Sequence, residues 1–228
     1  MAEYLRGIDV SGHQGDIDWK LVAGDGIKFA YCKSSEGATF KAASYAPNRA
    51  GARTHGIVSG AYHFAQLGKS PQQNCANFLA AIADYQAGDL LPALDVEEMG
   101  IPAGMSGAER QAWMIEFAKE FAKSKPWPLV LYGASKLAVT PELLQHFPYL
   151  WCAKWSAGEP KPKTWPTWSI WQYQVGKAGT VSGVSTEIDC DYIRPEDLPR
   201  LRVGGGASGG VGDVVVPAAI FAALLWLR

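Results

Sequence analysis

In LLPALDVEEMG, residues 90–100, an apolar run ends in three carboxylates, Asp95, Glu97 and Glu98. Side chains alternate across a strand, so ALDVE puts Ala93, Asp95 and Glu97 on one face and Leu94 and Val96 on the other. If helices cover the apolar pair, both acids point to the inside of the sheet, at the carboxyl end of their strand. Glu98 falls on the other face and is expected to be solvated. The same parity recurs in GIDVS (7–11), where Asp9 opposes Ile8 and Val10, and in EIDCD (187–191), where Asp189 opposes Ile188 and Cys190. In an open doubly wound sheet the first and last strands need not meet, whereas in a closed barrel they are neighbours. Closure would gather Asp9, Asp95, Glu97 and Asp189 in one pocket.

Outward from this stretch, strand-like runs alternate with helical segments: YLRGIDVS, IKFAYCKS, GIVSGAYHF, LLPALDVE, PLVLYG, YLWCAKW, SIWQYQ and TEIDCDYI. That alternation predicts an α/β fold with crossover units and a mainly parallel sheet. Ser70-Pro71-Gln72-Gln73 supplies an N-cap, a proline at the first helical position and a glutamine three residues on, before Cys75, Phe78, Leu79 and Ile82 at helical spacing. Ser106-Gly107-Ala108-Glu109 is a second capping box, followed by a stripe of Ala112, Ile115, Ala118, Phe121 and Ala122. All eight strands lie between residues 4 and 193, short for a full (β/α)8 barrel of ~250 residues. Some crossovers must therefore be short or lack a helix.

The folded domain is expected to occupy residues 1–200. Residues 201–213, rich in glycine, read as a linker. Residues 214–228 form an apolar tail, VVVPAAIFAALLWLR. Fourteen helical residues would reach only ~21 Å, less than the ~30 Å of a bilayer core, and Pro217 interrupts the run. The tail, residues 214–227, is expected to contact a membrane, whether lying on it or, with residues from 203 onward, long enough to span it.

With 228 residues, 48% of them hydrophobic, the chain can bury a large core and is not disordered. A net charge of −1 gives no general field for nucleic acid, which is set aside as a partner. Cys32, Cys75, Cys152 and Cys190 form no C-x-x-C pair, so no zinc or redox motif is visible, and small buried thiols are expected. MAEYLRGIDV lacks the basic and apolar regions of a conventional secretory signal, so synthesis in the cytoplasm is expected.

Carboxylates crowded in a low-dielectric pocket cannot all ionise together, which raises at least one pKa. A glycosidase needs that: one carboxyl kept protonated for the leaving oxygen, and others ionised near an oxocarbenium-like transition state. A divalent metal site is the competing chemical use of such oxygens; no metal or cofactor is otherwise called for. Aromatic residues make up 11% of the chain, and Tyr62, Tyr132, Trp151, Trp155, Trp171 and Tyr173 lie at strand ends. Their flat faces suit the C–H faces of sugars.

GIDVSGHQGDIDW (7–19), IKFAYCKSSEGATF (27–40), GAYHF (60–64), ALDVEE (93–98), LWCAKW (150–155), IWQY (170–173) and EIDCDYI (187–193) resemble, in order, the glycoside hydrolase family 25 lysozymes, the Chalaropsis-type muramidases of bacteria, fungi and phage endolysins. The resemblance implies an irregular, flattened TIM-like β/α barrel with short or missing crossover helices. It also implies cleavage of the β-1,4 bond between N-acetylmuramic acid and N-acetylglucosamine, with peptidoglycan glycan strands as partner. Carried over, Glu97 is the general acid/base and Asp95 its close partner, while Asp9 and Asp189 bind and polarise the substrate. Tyr62, Tyr132, Trp155, Trp171, Gln172 and Tyr173 are expected to line the groove. Where the family often has asparagine this chain has Asp191, which adds a negative charge near the site. A phage or prophage endolysin that reaches the wall with the help of a holin, its tail at the inner membrane, is the implied setting. Two other readings remain: a wall-binding module without turnover, and a protein that disrupts membranes through its tail.

Overall fold

The computed structural model describes residues 4–133 and 139–205. In chain order the strands are β1 (Leu5–Val10), β2 (Ile27–Glu36), β3 (Phe40–Lys41), β4 (Val58–Phe64), β5 (Ala93–Asp95), β6 (Val130–Tyr132), β7 (Tyr149–Ala153), β8 (Ile170–Gln174) and β9 (Asp189–Ile193). All but β3, a short ribbon on the edge of β2, form a ring, because β1 pairs with both β2 and β9. The expected closure of first on last strand is therefore present, and each of the eight runs read from the sequence is a barrel strand. One strand departs from the parallel pattern: β9 runs antiparallel to both β8 and β1.

Among the described residues five α-helices accompany these strands: α1 (Trp19–Gly24), α2 (Tyr45–Thr54), α3 (Pro71–Ala81), α4 (Gly107–Ala122) and α5 (Pro141–His146). Ser70 caps α3 by accepting from Gln73 N, and Ser106 and Glu109 close the capping box of α4. Of the expected stripe on α4, Ile115, Ala118 and Phe121 are buried and Ala112 and Ala122 are exposed, and Trp113, Met114 and Phe117 are buried beside them. The larger side chains thus widen the buried face beyond the expected stripe.

Among the described residues no helix covers β8 and β9. Their outer face is shielded by aromatic side chains instead: Trp171, Tyr173 and Tyr192 pack with Tyr4 and Trp168, the Tyr173 and Tyr192 rings stacking at 3.8 Å. The Arg194 guanidinium lies 3.6 Å over the Trp168 ring. Rings do here what crossover helices do elsewhere, which is how the barrel closes in so few residues.

Inside the barrel, Phe29 and Tyr31 from β2 are fully buried, each worth about 1.5–3 kcal/mol in burial. Phe29 lies in register with Gly7, where a Cβ would sit 2.2 Å from the ring. Only glycine leaves room for that filling.

The packed chain continues past the boundary expected at residue 200. Leu201 and Val203 are buried, Val203 N donates to Asp89 O at 2.7 Å, and Leu91 N donates to Leu201 O at 2.7 Å. Residues 201–205, the start of the expected linker, are thus stitched to the segment before β5. The rest of that linker and the apolar tail lie outside the described residues. Among the described residues no helix is long and apolar enough to cross a membrane, and the four cysteines are buried and free.

Ser35, His63 and Asn74 form a fully buried chain of polar groups beneath α3. Asn74 Oδ1 already accepts from Gln66 N, so it presents its oxygen to His63 Nε2 at 3.1 Å. Nε2 therefore carries the proton, and Nδ1 accepts from Ser35 Oγ at 2.8 Å. The spacing is that of a nucleophile triad, yet Ser35 is sealed from any substrate. Burial pushes the imidazole down from 6.5 to about 4. A histidine whose folded pKa is lowered leaves the unfolded chain to bind the extra proton, so its contribution to stability falls as pH drops from about 6.5 towards 4. In chemical denaturation, the stability difference between wild type and His63→Gln is expected to narrow by about 2 kcal/mol from pH 7 to 4.5.

Candidate active site

Asp9 is the next-to-last residue of β1 and Asp95 ends β5, whereas Asp189 begins β9. Because β9 runs in reverse, its first residue reaches the same end of the barrel as the last residues of the parallel strands. Asp9 and Asp189 are direct cross-strand partners, an arrangement that like charges disfavour. Glu97 follows β5 in extended conformation (φ −118°, ψ 160°), so strand parity carries past the last paired residue. Val96 N donates to Tyr132 O, and Gly133, at φ +83°, packs on the Val96 carbonyl, where a Cβ would lie 2.1 Å from the oxygen. The turn after β6 thus fixes the segment that presents Glu97.

One pocket is lined by Asp9, Asp95, Glu97 and Asp189 together with Tyr62, Tyr132 and Gln172. Seven of the residues singled out in the sequence therefore share one cavity. Tyr132 Oη donates to Gln172 Oε1 at 3.0 Å, and Gln172 Nε2 donates to Asp9 Oδ2 at 2.9 Å. Trp155 stands on the rim, largely exposed, its Nε1 3.4 Å from Gln172 Oε1. Trp171 and Tyr173 do not reach the pocket. They flank Gln172 on the strand, so alternation sends them to the outer aromatic layer, where Trp171 Nε1 donates to Lys154 O at 2.7 Å. Glu98 is on the surface, 3.2 Å from Arg110 Nη1.

Sequence reasoning missed Lys33, which lines the pocket together with Trp151, one of the strand-end aromatics. Lys33 Nζ pairs with Glu36 Oε2 at 2.7 Å and lies 4.8 Å over the Phe64 ring. It follows Phe29 and Tyr31 at alternate positions of β2, so the parity test applied to the acids would have found it.

Every acid in the pocket is shifted upward. Burial pushes Asp9 to about 7, with the charge of Asp189 adding to the shift. Asp95 is raised well above the usual carboxylate range, first by burial and then by Glu97 and Asp9, and its Oδ1 is buried without a partner. Glu97 is raised by burial and by Asp189, against the pull of Lys33 and a hydrogen bond with Asp95. Asp95 and Glu97 thus behave as one proton-sharing pair. Asp189 is raised by burial, opposed by Gly176 N donating to Oδ1 at 2.6 Å. Among the described residues, no three such side chains have the spacing of a metal site.

This site can hold a proton near a leaving oxygen while keeping anionic oxygens close by, on a platform of tyrosine and tryptophan. Comparisons with known proteins give the family. The family model for glycosyl hydrolases family 25 matches residues 8–184. Lysozyme M1 of Streptomyces globisporus is 32% identical over 197 residues, covering 81% of this chain and 66% of that protein. An N,O-diacetylmuramidase of Arthroderma benhamiae is 31% identical over 180 residues, covering 74% of this chain and 76% of its own. The crystal structure of a bacterial lysozyme from Streptomyces coelicolor superposes with a TM-score of 0.75 at 26% identity, covering 88% of this chain and 98% of that one. The chain belongs to glycosyl hydrolases family 25 and is a glycoside hydrolase.

Proposed function

We propose that the barrel is a lysozyme in which Glu97 is the general acid and base, cleaving the β-1,4 bond from N-acetylmuramic acid to N-acetylglucosamine in peptidoglycan. The observation that carries it is the Asp95–Glu97 pair, two raised carboxyls sharing a proton beside Asp9 and Asp189. Glu97 gives its proton to the glycosidic oxygen as the C1–O bond breaks. Positive charge develops at C1 and the ring oxygen, facing Asp9 and Asp189. The acetamido oxygen of muramic acid then closes on C1, its N–H directed to Asp95 or Asp189, and water opens that intermediate as Glu97 takes a proton back. Two inversions at C1 retain the anomeric configuration. Tyr62, Tyr132, Gln172 and the rim ring of Trp155 hold the sugars.

The setting is that of a phage or prophage endolysin, in keeping with a structural neighbour titled the CTP1L endolysin, at 28% identity and a TM-score of 0.69. Residues 1–200 are the catalytic domain, extended by the packing of residues 201–205 described above, and glycine-rich residues up to 213 lead to the tail. That tail, by its composition, contacts the inner membrane, and release to the wall depends on a holin.

One digestion tests the reading. Purified cell wall treated with the enzyme is expected to yield new reducing ends of muramic acid, formed first as the β anomer. Glucosamine at the reducing end, new amino termini, or an α anomer would overturn it. Deleting residues 206–228 is expected to leave the rate on purified wall unchanged; loss of lysis would favour the tail as the active part.

A further inference from the structure

Asp191 stands in the middle of β9, two residues inward from Asp189, and is fully buried. It lies in register with Gly7 of β1 and Gln172 of β8. Trp151 Nε1 donates to its Oδ1 at 2.8 Å. Its other oxygen, Oδ2, is buried with no donor to accept from. The Asp191 carboxyl also meets the carboxyl of Asp9, which already accepts from Gln172. Two carboxylate oxygens in contact, away from water, have no attraction unless one of them carries hydrogen.

The titratable groups around Asp191 are Asp9 from β1, Tyr31 from β2, Tyr132 from β6, and Asp189 and Cys190 from its own strand. All of them lose charge neutrality by becoming anions, so none favours a second negative charge. Trp151 and Gln172 complete the shell as neutral groups.

We infer that Asp191 is a neutral carboxylic acid whose Oδ2 hydroxyl donates to Asp9, making it a positioning residue that locks Asp9 towards the substrate. The extra negative charge expected from this residue is thus absent, and an aspartate takes the part of an amide. The two acids differ in station. Asp191 is sealed beneath the pocket, held between an indole donor and Asp9. Asp9 sits at the pocket surface with a second donor, Gln172, and so ionises first; its own raised value of about 7 reflects burial and Asp189. Burial and the neighbouring Asp9 charge push Asp191 far higher. An asparagine side chain at this position would satisfy every partner: its carbonyl would accept from Trp151 and its amide would donate to Asp9.

The test uses the full chain and compares wild type with Asp191→Asn and Asp191→Ala. Carboxyl-carbon NMR follows Asp9 and Asp191 against pH without substrate. Asp191 is expected to keep the shift of a protonated acid while Asp9 titrates. Asp191→Asn should leave the Asp9 midpoint in place. Asp191→Ala, having lost the donor, should move it upward. An anionic Asp191 at neutral pH, or a downward move of the Asp9 midpoint in both variants through relief of charge, would overturn the inference. The link to catalysis rests on the lysozyme reading and is measured separately. On cell wall, Asp191→Asn should retain kcat/KM at its optimum with an unmoved acid limb, whereas Asp191→Ala should lose about 100-fold through misplacement of Asp9. Equal losses in both would overturn the positioning role. If wild type itself fails to cleave wall, the lysozyme reading falls while the NMR result stands. Should Asp191→Ala not fold, wild type and Asp191→Asn still decide the protonation.

Discussion

Glu97→Gln is expected to lower wall hydrolysis by about 10²–10⁴-fold, the usual range for removing a general acid and base, while raising the melting temperature. The two effects share one cause. Glutamine keeps the shape of the side chain but has no proton to give to a leaving oxygen. It also removes a carboxyl that burial and Asp189 hold at a raised pKa. An acid whose folded pKa is raised costs stability above its unfolded value, because the unfolded chain can ionise it more easily. The gain in stability should therefore be largest at neutral pH and vanish as pH falls below the usual glutamate range. Turbidity loss of cell wall and thermal unfolding, measured on the same sample, check both halves. A variant that lost activity by simple misfolding would melt lower, which would argue against the assigned role.

The largest loss of stability is expected from Asp89→Ala. Arg49 is 2% exposed and its Nη2 lies 2.6 Å from Asp89 Oδ2, while Arg53 Nη2 reaches Asp89 Oδ1 at 2.5 Å. Gln86 N also donates to Asp89 Oδ2, at 2.8 Å. Remaining partners of Arg49 are the Tyr45 hydroxyl, the ring of Tyr85 and the half-exposed Asp84. Removing Asp89 leaves a buried guanidinium with one weak counter-charge, which costs about 3–5 kcal/mol. At the ~2–4 °C per kcal/mol typical of a domain this size, the melting temperature should fall by roughly 6–20 °C. Arg49→Met combined with Asp89→Ala should recover part of the loss, since it is the unpaired charge that is expensive. A double variant less stable than the sum of the single changes would show that packing, not charge, is at stake.

Most of the barrel was legible because its strands announce themselves by parity. The pattern that aims Asp9, Asp95 and Asp189 inward also turns Ile8, Val10, Leu94 and Cys190 outward, and closure follows from needing all three acids together. Parity failed only where it was not applied. Gln172 points in, so Trp171 and Tyr173 beside it must point out; treating IWQY as one patch lost that distinction. Lys33 shares that inward parity, but a lone lysine in an apolar run carries no signal of its own. Asp191 was read as one more charge because sequence shows the acid but not its sealed surroundings or the indole donor of Trp151. The reversal of β9 had no local signal, since an antiparallel strand and a parallel one share the same alternation. The six-residue helices α1 and α5 are too short for a periodic stripe to show.

That reversed strand also settles which way the chain leaves the barrel. The last wall strand descends from the sugar-binding end to the opposite floor, and residues 201–205 are tied there, beside the segment that leads into β5. The point of attachment at Gly205 thus lies on the side opposite the acid-lined mouth. A tag, carrier protein or solid support joined there is expected to leave the acid-lined mouth of the barrel unobstructed.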